Sequence, residues 1–388
     1  MGLPWGKLTG IRPAKIARNL FGDGYSASKI EEIFLNRYQT DSFRAKLAVE
    51  TAQKEIELMK NKKDNSISLY IGIPFCPSRC AYCSFISFSL EKSDLLMVPY
   101  LECLHKEITE TAELLSDLDV FVETVYIGGG TPTTLSADQL KKLSEHIYKC
   151  FNLTNIKEFC VEAGRPDTIT CDKLEAMQSC GVTRISINAQ TMHDSVLQNI
   201  GRRHTVRDFT EAFMLARDAG FKNINTDVIA GLPGETSDMF SSGLDEIINL
   251  SPEDITVHTM SLKRASVINQ NINGYTITDD ETVGEMLDCA SSKLRNAGYF
   301  PYYLYRQKNI LGGFENTGFA KNGFECLYNM YIMEEVQTII SMGAGASTKI
   351  ITSDDIHRIF NVKEPTEYIK RIDEMISRKK EILEYWNK

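Results

Sequence analysis

Ser68-Leu69-Tyr70-Ile71-Gly72-Ile73-Pro74-Phe75-Cys76-Pro77-Ser78-Arg79-Cys80-Ala81-Tyr82-Cys83 joins a short β-branched run to a loop with three cysteines in a CxxxCxxC spacing. The run over 68–73 reads as a strand. The same rhythm returns further along, with predicted strands over 122–127, 158–163, 184–188, 223–229 and 254–259. Between them lie amphipathic stretches that predict helices over 95–118, 137–151, 171–180, 206–220 and 239–249. Gly181 and Gly220 stand where helices should stop, because glycine tolerates the left-handed cap. Six strands alternating with helices predict a parallel sheet with right-handed crossovers. The expected fold is α/β, a partial (β/α)6 TIM-like barrel. Its active site should form at the C-terminal ends of the strands, where the chemically loaded residues of this chain fall.

On either side the rhythm is absent. Residues 1–66 read as a helical lead-in, with helix-like stretches over 27–35 and 46–59 and a polar connector from Lys60 to Asn65. Beyond residue 263 the sequence predicts a helix over 278–297, a strand over 302–305 and a charged terminal helix over 366–385. The expected division is a lead-in (1–66), a barrel core (67–263) and a C-terminal α+β module (264–388).

Apolar residues make up 43% of the 388 and charged residues 24%, which predicts a packed core and excludes disorder. The net charge of -9 argues against nucleic acid, whose phosphates demand a basic face. No apolar run approaches the roughly 20 residues that span a bilayer, and the first residues lack a signal-peptide core. The expectation is a cytoplasmic protein without stable membrane insertion. Its thiols should stay reduced unless a metal takes them. Seven cysteines outside the loop (Cys103, Cys150, Cys160, Cys171, Cys180, Cys289 and Cys326) read as small buried side chains.

Cys76, Cys80 and Cys83 can each ligate one iron of a cubane cluster, leaving the fourth iron open to a small bidentate ligand. A structural zinc would want a fourth closed ligand, and the next histidine is the distant His105. Gly128-Gly129-Gly130-Thr131-Pro132-Thr133 follows the second strand, where glycines let the backbone approach a ligand. Glu162 ends the third strand, Gln190 follows the fourth and Asp227 lies in the fifth. Each alone could serve a local hydrogen bond. Together, on successive strands, they can converge on one ligand.

The cysteine loop resembles the radical S-adenosylmethionine (SAM) signature, with Tyr82 before the last cysteine. From 69 to about 260 the chain resembles the oxygen-independent coproporphyrinogen III oxidase family. The stretches that carry the likeness are 70–76, 128–133, Glu162, Gln190, Gly201-Arg202-Arg203-His204-Thr205 and 227–234. The flanks around Trp5-Gly6-Lys7, Ala163-Gly164-Arg165-Pro166 and Tyr305-Arg306-Gln307 resemble its HemZ-type coproporphyrinogen dehydrogenases. Chains of that type carry a further segment before the Trp-Gly-Lys motif; this one begins almost at it, as a truncated chain or a short member would.

The resemblance implies a [4Fe–4S] cluster on Cys76, Cys80 and Cys83. It implies SAM contacts from Tyr70, Gly129, Gly130, Thr131, Glu162, Gln190, Arg202 and Asp227, with Ser261 a further lining residue and Tyr82 beside the cluster. It also implies a low-potential electron donor of flavodoxin or ferredoxin type. The implied reaction is oxidative decarboxylation of two coproporphyrinogen III propionates to vinyls through a 5′-deoxyadenosyl radical. One departure stands out: Phe85 occupies the place of a further cysteine in the oxidases, and the heme-chaperone branch also has Phe there. A heme chaperone and a different radical SAM reaction on a tetrapyrrole are the competing readings.

A substrate with four carboxylates needs cations, and guanidinium forks suit carboxylates. Arg165, Arg203, Arg306 and Lys308 are the candidates. Tyr302, Tyr303 and Tyr305 can line a flat tetrapyrrole or simply form a half-buried strand. His258 can serve as proton donor, heme ligand or core histidine. The C-terminal module is the expected cover that keeps the site dry.

Overall fold

The computed structural model describes residues 3–83, 88–352 and 355–386. Phe85 lies outside them. The β-branched runs form the parallel strands β1 (Ser66–Ile73), β2 (Phe121–Gly129), β3 (Glu158–Glu162), β4 (Arg184–Ser186), β5 (Ile224–Ala230) and β6 (Asp254–Thr259). They lie side by side in chain order. Between them run helices at Leu90–Leu115, Ala137–Cys150, Cys171–Ser179, Val206–Asp218 and Ser237–Leu250, close to the expected spans.

Successive side chains on a strand point to opposite faces, and here the two faces differ in chemistry. Ile67, Leu69, Ile71, Val125, Ile127, Phe159, Val161, Ile185, Ile255 and Val257 belong to one apolar core with the surrounding helices. The alternate residues are Tyr126, Cys160, Glu162, Arg184, Asn225, Asp227, Thr256 and His258. Packing therefore claims one face and leaves the other for function.

The chain after residue 263 adds β7 (Phe300–Tyr305), β8 (Asn316–Ala320), β9 (Thr338–Met342), β10 (Ser347–Ile351) and β11 (Ile356–Phe360) to the same sheet. The order is β11-β10-β9-β1-β2-β3-β4-β5-β6-β8-β7. β9 is parallel to β1, while β8 pairs antiparallel with both β6 and β7. The helix Leu327–Glu334 packs with Tyr126, Cys160, Tyr302 and Tyr303 from the polar face. Its first backbone amides, Leu327 N and Tyr328 N, donate to the buried Glu158 carboxylate at 3.2 and 3.3 Å. A carboxylate suits that positive helix end. Glu158 in turn meets Arg184, which pairs with Asp254 at 2.8 Å, and Tyr302 OH donates to Asp254 at 2.7 Å. Tyr302 is therefore committed to this buried network.

The terminal helix expected over 366–385 is three helices, Pro365–Lys370, Ile372–Lys379 and Glu381–Trp386. Arg371 leaves helical geometry at φ −115° and ψ 24°. Lys379 is turned inward, its amine bonded to Ser341 O and Thr348 Oγ1 and 3.5 Å from Glu107. Of the seven outlying cysteines, Cys160 and Cys326 are buried as expected, whereas Cys103, Cys150, Cys180 and Cys289 are only partly buried and Cys171 is exposed at the start of its helix. Among the described residues no helix is long and apolar enough to cross a membrane.

Candidate active site

A cavity of about 620 Å³ opens at the C-terminal ends of the parallel strands. Cys76, Cys80 and Cys83 line it, as do Tyr82, Gly129, Gly130, Thr131, Glu162, Gln190, Arg202, Asp227 and Ser261. Tyr70 is not among the lining residues; its ring lies 6.2 Å from those of both Tyr126 and Tyr328, which stack on each other at 4.3 Å.

The cysteine loop is held from two sides. Ala81 N donates to Ile200 O at 2.9 Å, and Ile268 N donates to Ala81 O at 3.1 Å. Thr131 Oγ1 donates to Cys76 Sγ at 3.4 Å. Arg165 brings a fixed positive charge to Cys80 Sγ at 3.8 Å. That guanidinium is clamped by both Asp167 oxygens at 3.0 Å and by Ser78 Oγ at 3.0 Å. Arg202 donates to Gly164 O and Tyr82 OH, each at 3.0 Å, while its buried Nε has no partner. Gln190 Oε1 is likewise buried without a partner. Two unsatisfied buried polar atoms on a cavity wall are what a polar ligand would complete.

The glycine turn passes directly over the strand that leads to the cysteines. Gly130 N donates to Ile73 O and Thr131 N to Phe75 O, both at 2.7 Å. Glu162 accepts from Tyr126 OH at 2.5 Å and from Gly129 N at 3.1 Å. Burial pushes its carboxyl up to about 7, against these two donors, and the nearby Asp227 adds to the rise. A carboxyl raised on folding favours the native state while protonated and loses that contribution as pH climbs from its unfolded value to its folded one. Glu162→Gln keeps an acceptor without the charge. In ligand-free protein the variant should gain on the wild type between about pH 4.5 and about pH 7, by on the order of 3 kcal/mol at most. Melting temperatures taken across that range test this; parallel curves would refute it.

Asp227 accepts from Asn188 Nδ2 and Asn225 Nδ2 at 2.8 Å each, and His258 Nε2 lies 3.6 Å away. Burial alone would raise this carboxyl, but His258, Asn225 and Thr256 hold it below its ordinary value. His258 faces the cavity and is not a core histidine. Tyr303 and Tyr305 also line the cavity, their rings stacked at 6.5 Å and 13°.

The cation candidates separate. Arg165 lines the cavity, held on the cysteine loop. Arg306 is directed away from it: its Nη1 donates to Leu8 O at 2.7 Å and Gly10 O at 3.3 Å, tying the lead-in down. Arg203 and Lys308 are exposed and outside the cavity lining. Lys263, Asn188, Asn225, Asn316, Asn329 and Met333 line the wall without having been marked in the sequence. For Asn188 and Asn225 a signal existed, since both share the inward face with Asp227. Asn329 and Met333 come from the inserted helix and had none.

What separates this cavity from an ordinary barrel mouth is that part of one wall is sulfur. Among the described residues no three His, Cys, Asp or Glu side chains are grouped to hold a single metal ion. Three thiols on one loop at the cavity wall suit separate irons of a cluster. That is the arrangement of the radical SAM class, and residues 70–247 match the Radical SAM superfamily.

The chain is 41% identical to the oxygen-independent coproporphyrinogen-III oxidase-like protein HemZ of Bacillus subtilis, over 98% of this chain and 77% of that one. It is 33% identical to the heme chaperone HemW of the same organism, over 72% and 70%. In fold it is similar to coproporphyrinogen III oxidase (HemN) from Escherichia coli, with a TM-score of 0.65 at 22% identity, covering 84% of this chain and 73% of that one. The protein belongs to the radical SAM family that includes HemZ and HemW. Its cofactors are a [4Fe–4S] cluster and SAM.

Proposed function

We propose that this protein is a radical SAM oxidoreductase of tetrapyrrole biosynthesis that decarboxylates coproporphyrinogen III propionates to vinyls, giving protoporphyrinogen IX. The observation that carries the reading is the likeness to HemZ along 98% of the chain. The cavity is compatible with it. In this reading residues 1–66, 67–263 and 264–388 act as lead-in, radical core and cover.

Cys76, Cys80 and Cys83 would hold the cluster. Gly129, Gly130, Thr131, Glu162, Gln190, Arg202 and Asp227 would hold SAM, with Tyr70 supporting them from outside the lining, Tyr82 beside the cluster and Ser261 at the rim. When bound, the pair supplies a carbon-centred radical that removes a hydrogen atom from the propionate arm. The chain's own residues do the rest. Tyr303 and Tyr305 offer a flat wall to the macrocycle. Lys263, whose amine donates to Gln307 Oε1 at 2.7 Å, is the lining cation open to a propionate. His258 lies on the cavity wall with its Nε2 3.6 Å from the Asp227 carboxylate, which orients the ring. The inserted helix closes the barrel and keeps water out.

The test is anaerobic: reconstituted protein, SAM, reductant and coproporphyrinogen III, with products analysed by mass. Loss of two carbon dioxides per porphyrinogen is the expected result. SAM cleavage without decarboxylation overturns it. The likeness to HemW gives a second reading, a heme chaperone. Stable stoichiometric heme binding in the same preparation would select that one.

A further inference from the structure

Three cations from distant parts of the chain converge on one carboxylate oxygen. Arg12 Nη2 and Arg358 Nη2 each stand 2.9 Å from Glu335 Oε1, and Lys349 Nζ stands 3.9 Å from it. Arg12 precedes the lead-in helix Pro13–Gly22, Lys349 lies in β10 and Arg358 in β11. Glu335 follows the inserted helix Leu327–Glu334 in a left-handed conformation, with φ 51°.

The charge at this point does not balance. Among the described residues, Glu335 is the one carboxylate within ion-pair distance of Arg12, Lys349 or Arg358. The adjacent Glu334 is taken by Arg18 at 2.8 Å, and Asp355 accepts from Ile356 N at 2.7 Å. Lys349 and Arg358 stand directly opposite each other on the two strands, where like charges repel. Burial pushes the Lys349 amine below its ordinary value, against the pull of Glu335, and Arg12 and Arg358 push it further. The side chain is only 20% exposed, so water does little to relieve it. Capping of the inserted helix accounts for Arg12, whose Nε donates to Met333 O. It does not account for Arg358, which bonds Glu335 and its own strand, or for Lys349, whose amine lies beyond hydrogen-bond distance of Glu335.

We propose that Arg12, Lys349 and Arg358 form a binding site for an oxyanion, a carboxylate or a phosphate, at the seam between the lead-in and β10–β11. An anion beside Glu335 offsets the surplus charge and accepts charge-assisted hydrogen bonds from Lys349 and the guanidiniums. The site adjoins the cavity, because the Met333 carbonyl that Arg12 holds belongs to a lining residue. A propionate of a bound tetrapyrrole and a free phosphate share the chemistry it requires. The assignment stands on this cluster and not on the decarboxylation reading.

The test uses anaerobically reconstituted holoenzyme with labelled inorganic phosphate as probe, against chloride at matched ionic strength. The wild type should bind phosphate in equilibrium dialysis and melt at a higher temperature in its presence. K349Q should bind it about tenfold more weakly, the loss of one charge-assisted contact. Without phosphate, K349Q should melt above the wild type, since it removes a repulsion that a purely structural ion-pair network would not contain. K349R, which keeps the charge, should keep the binding. Coproporphyrinogen III then separates the two sources: displacement of phosphate assigns the site to a propionate, and phosphate retained beside it assigns the site to a free anion. No phosphate binding by the wild type, equal binding by K349Q, or a ligand-free K349Q that melts below the wild type would each overturn the proposal. Phosphate binding is read without a tetrapyrrole, so failure of the decarboxylation reading leaves this result standing.

Discussion

Cys80→Ala is expected to leave a folded protein that retains little iron or sulfide after anaerobic reconstitution. SAM cleavage should fall by more than ~10³-fold, the scale of losing the radical source and not one hydrogen bond. Cys80 is the most enclosed of the three, and its sulfur is the one that faces Arg165. Without it one iron would have no anchor, while Arg165 keeps Asp167 as its anion. The fold should survive, because backbone bonds from Ala81 to Ile200 and Ile268 hold the loop. Circular dichroism would report the fold, and iron and sulfide assays the cluster. A full complement of iron in the variant would remove the cluster assignment.

Gly130→Ala should be the most damaging single methyl addition near the site. A Cβ there would stand 2.5 Å from Phe75 O and 3.0 Å from both Ile73 O and Phe75 C. These are backbone atoms of the segment that presents Cys76, so no side chain can yield. Forced overpacking costs about 1–3 kcal/mol, and relief must come by shifting the cysteine loop. The variant should melt several degrees lower and load the cluster several-fold less well. Gly22→Ala, with nothing within 4 Å of its added Cβ, is the neutral control. Equal loading in the two variants would show that the glycine turn does not position the loop.

Local pattern carried the parallel strands because each needs only β-branched residues packed on one side and a turn at its end. The same alternation placed Glu162 and Asp227 on the inward face, beside the cavity. The cysteine loop was legible for a similar reason, since its spacing is a local property. Side-chain destinations were not. Arg306 reads as a substrate cation until the lead-in, almost 300 residues earlier in the chain, presents the carbonyls of Leu8 and Gly10. The terminal helix reads as continuous until Lys379 finds its buried partners on β9 and β10.

By itself, then, the sequence determined the repeating strands, the sulfur loop and the glycine turn, each set by neighbours a few residues apart. Tertiary structure alone decided which cations face the cavity and which helix packs over the polar face of the strands. Those outcomes depend on which distant polar groups meet in space, because burial makes an unmet polar group costly.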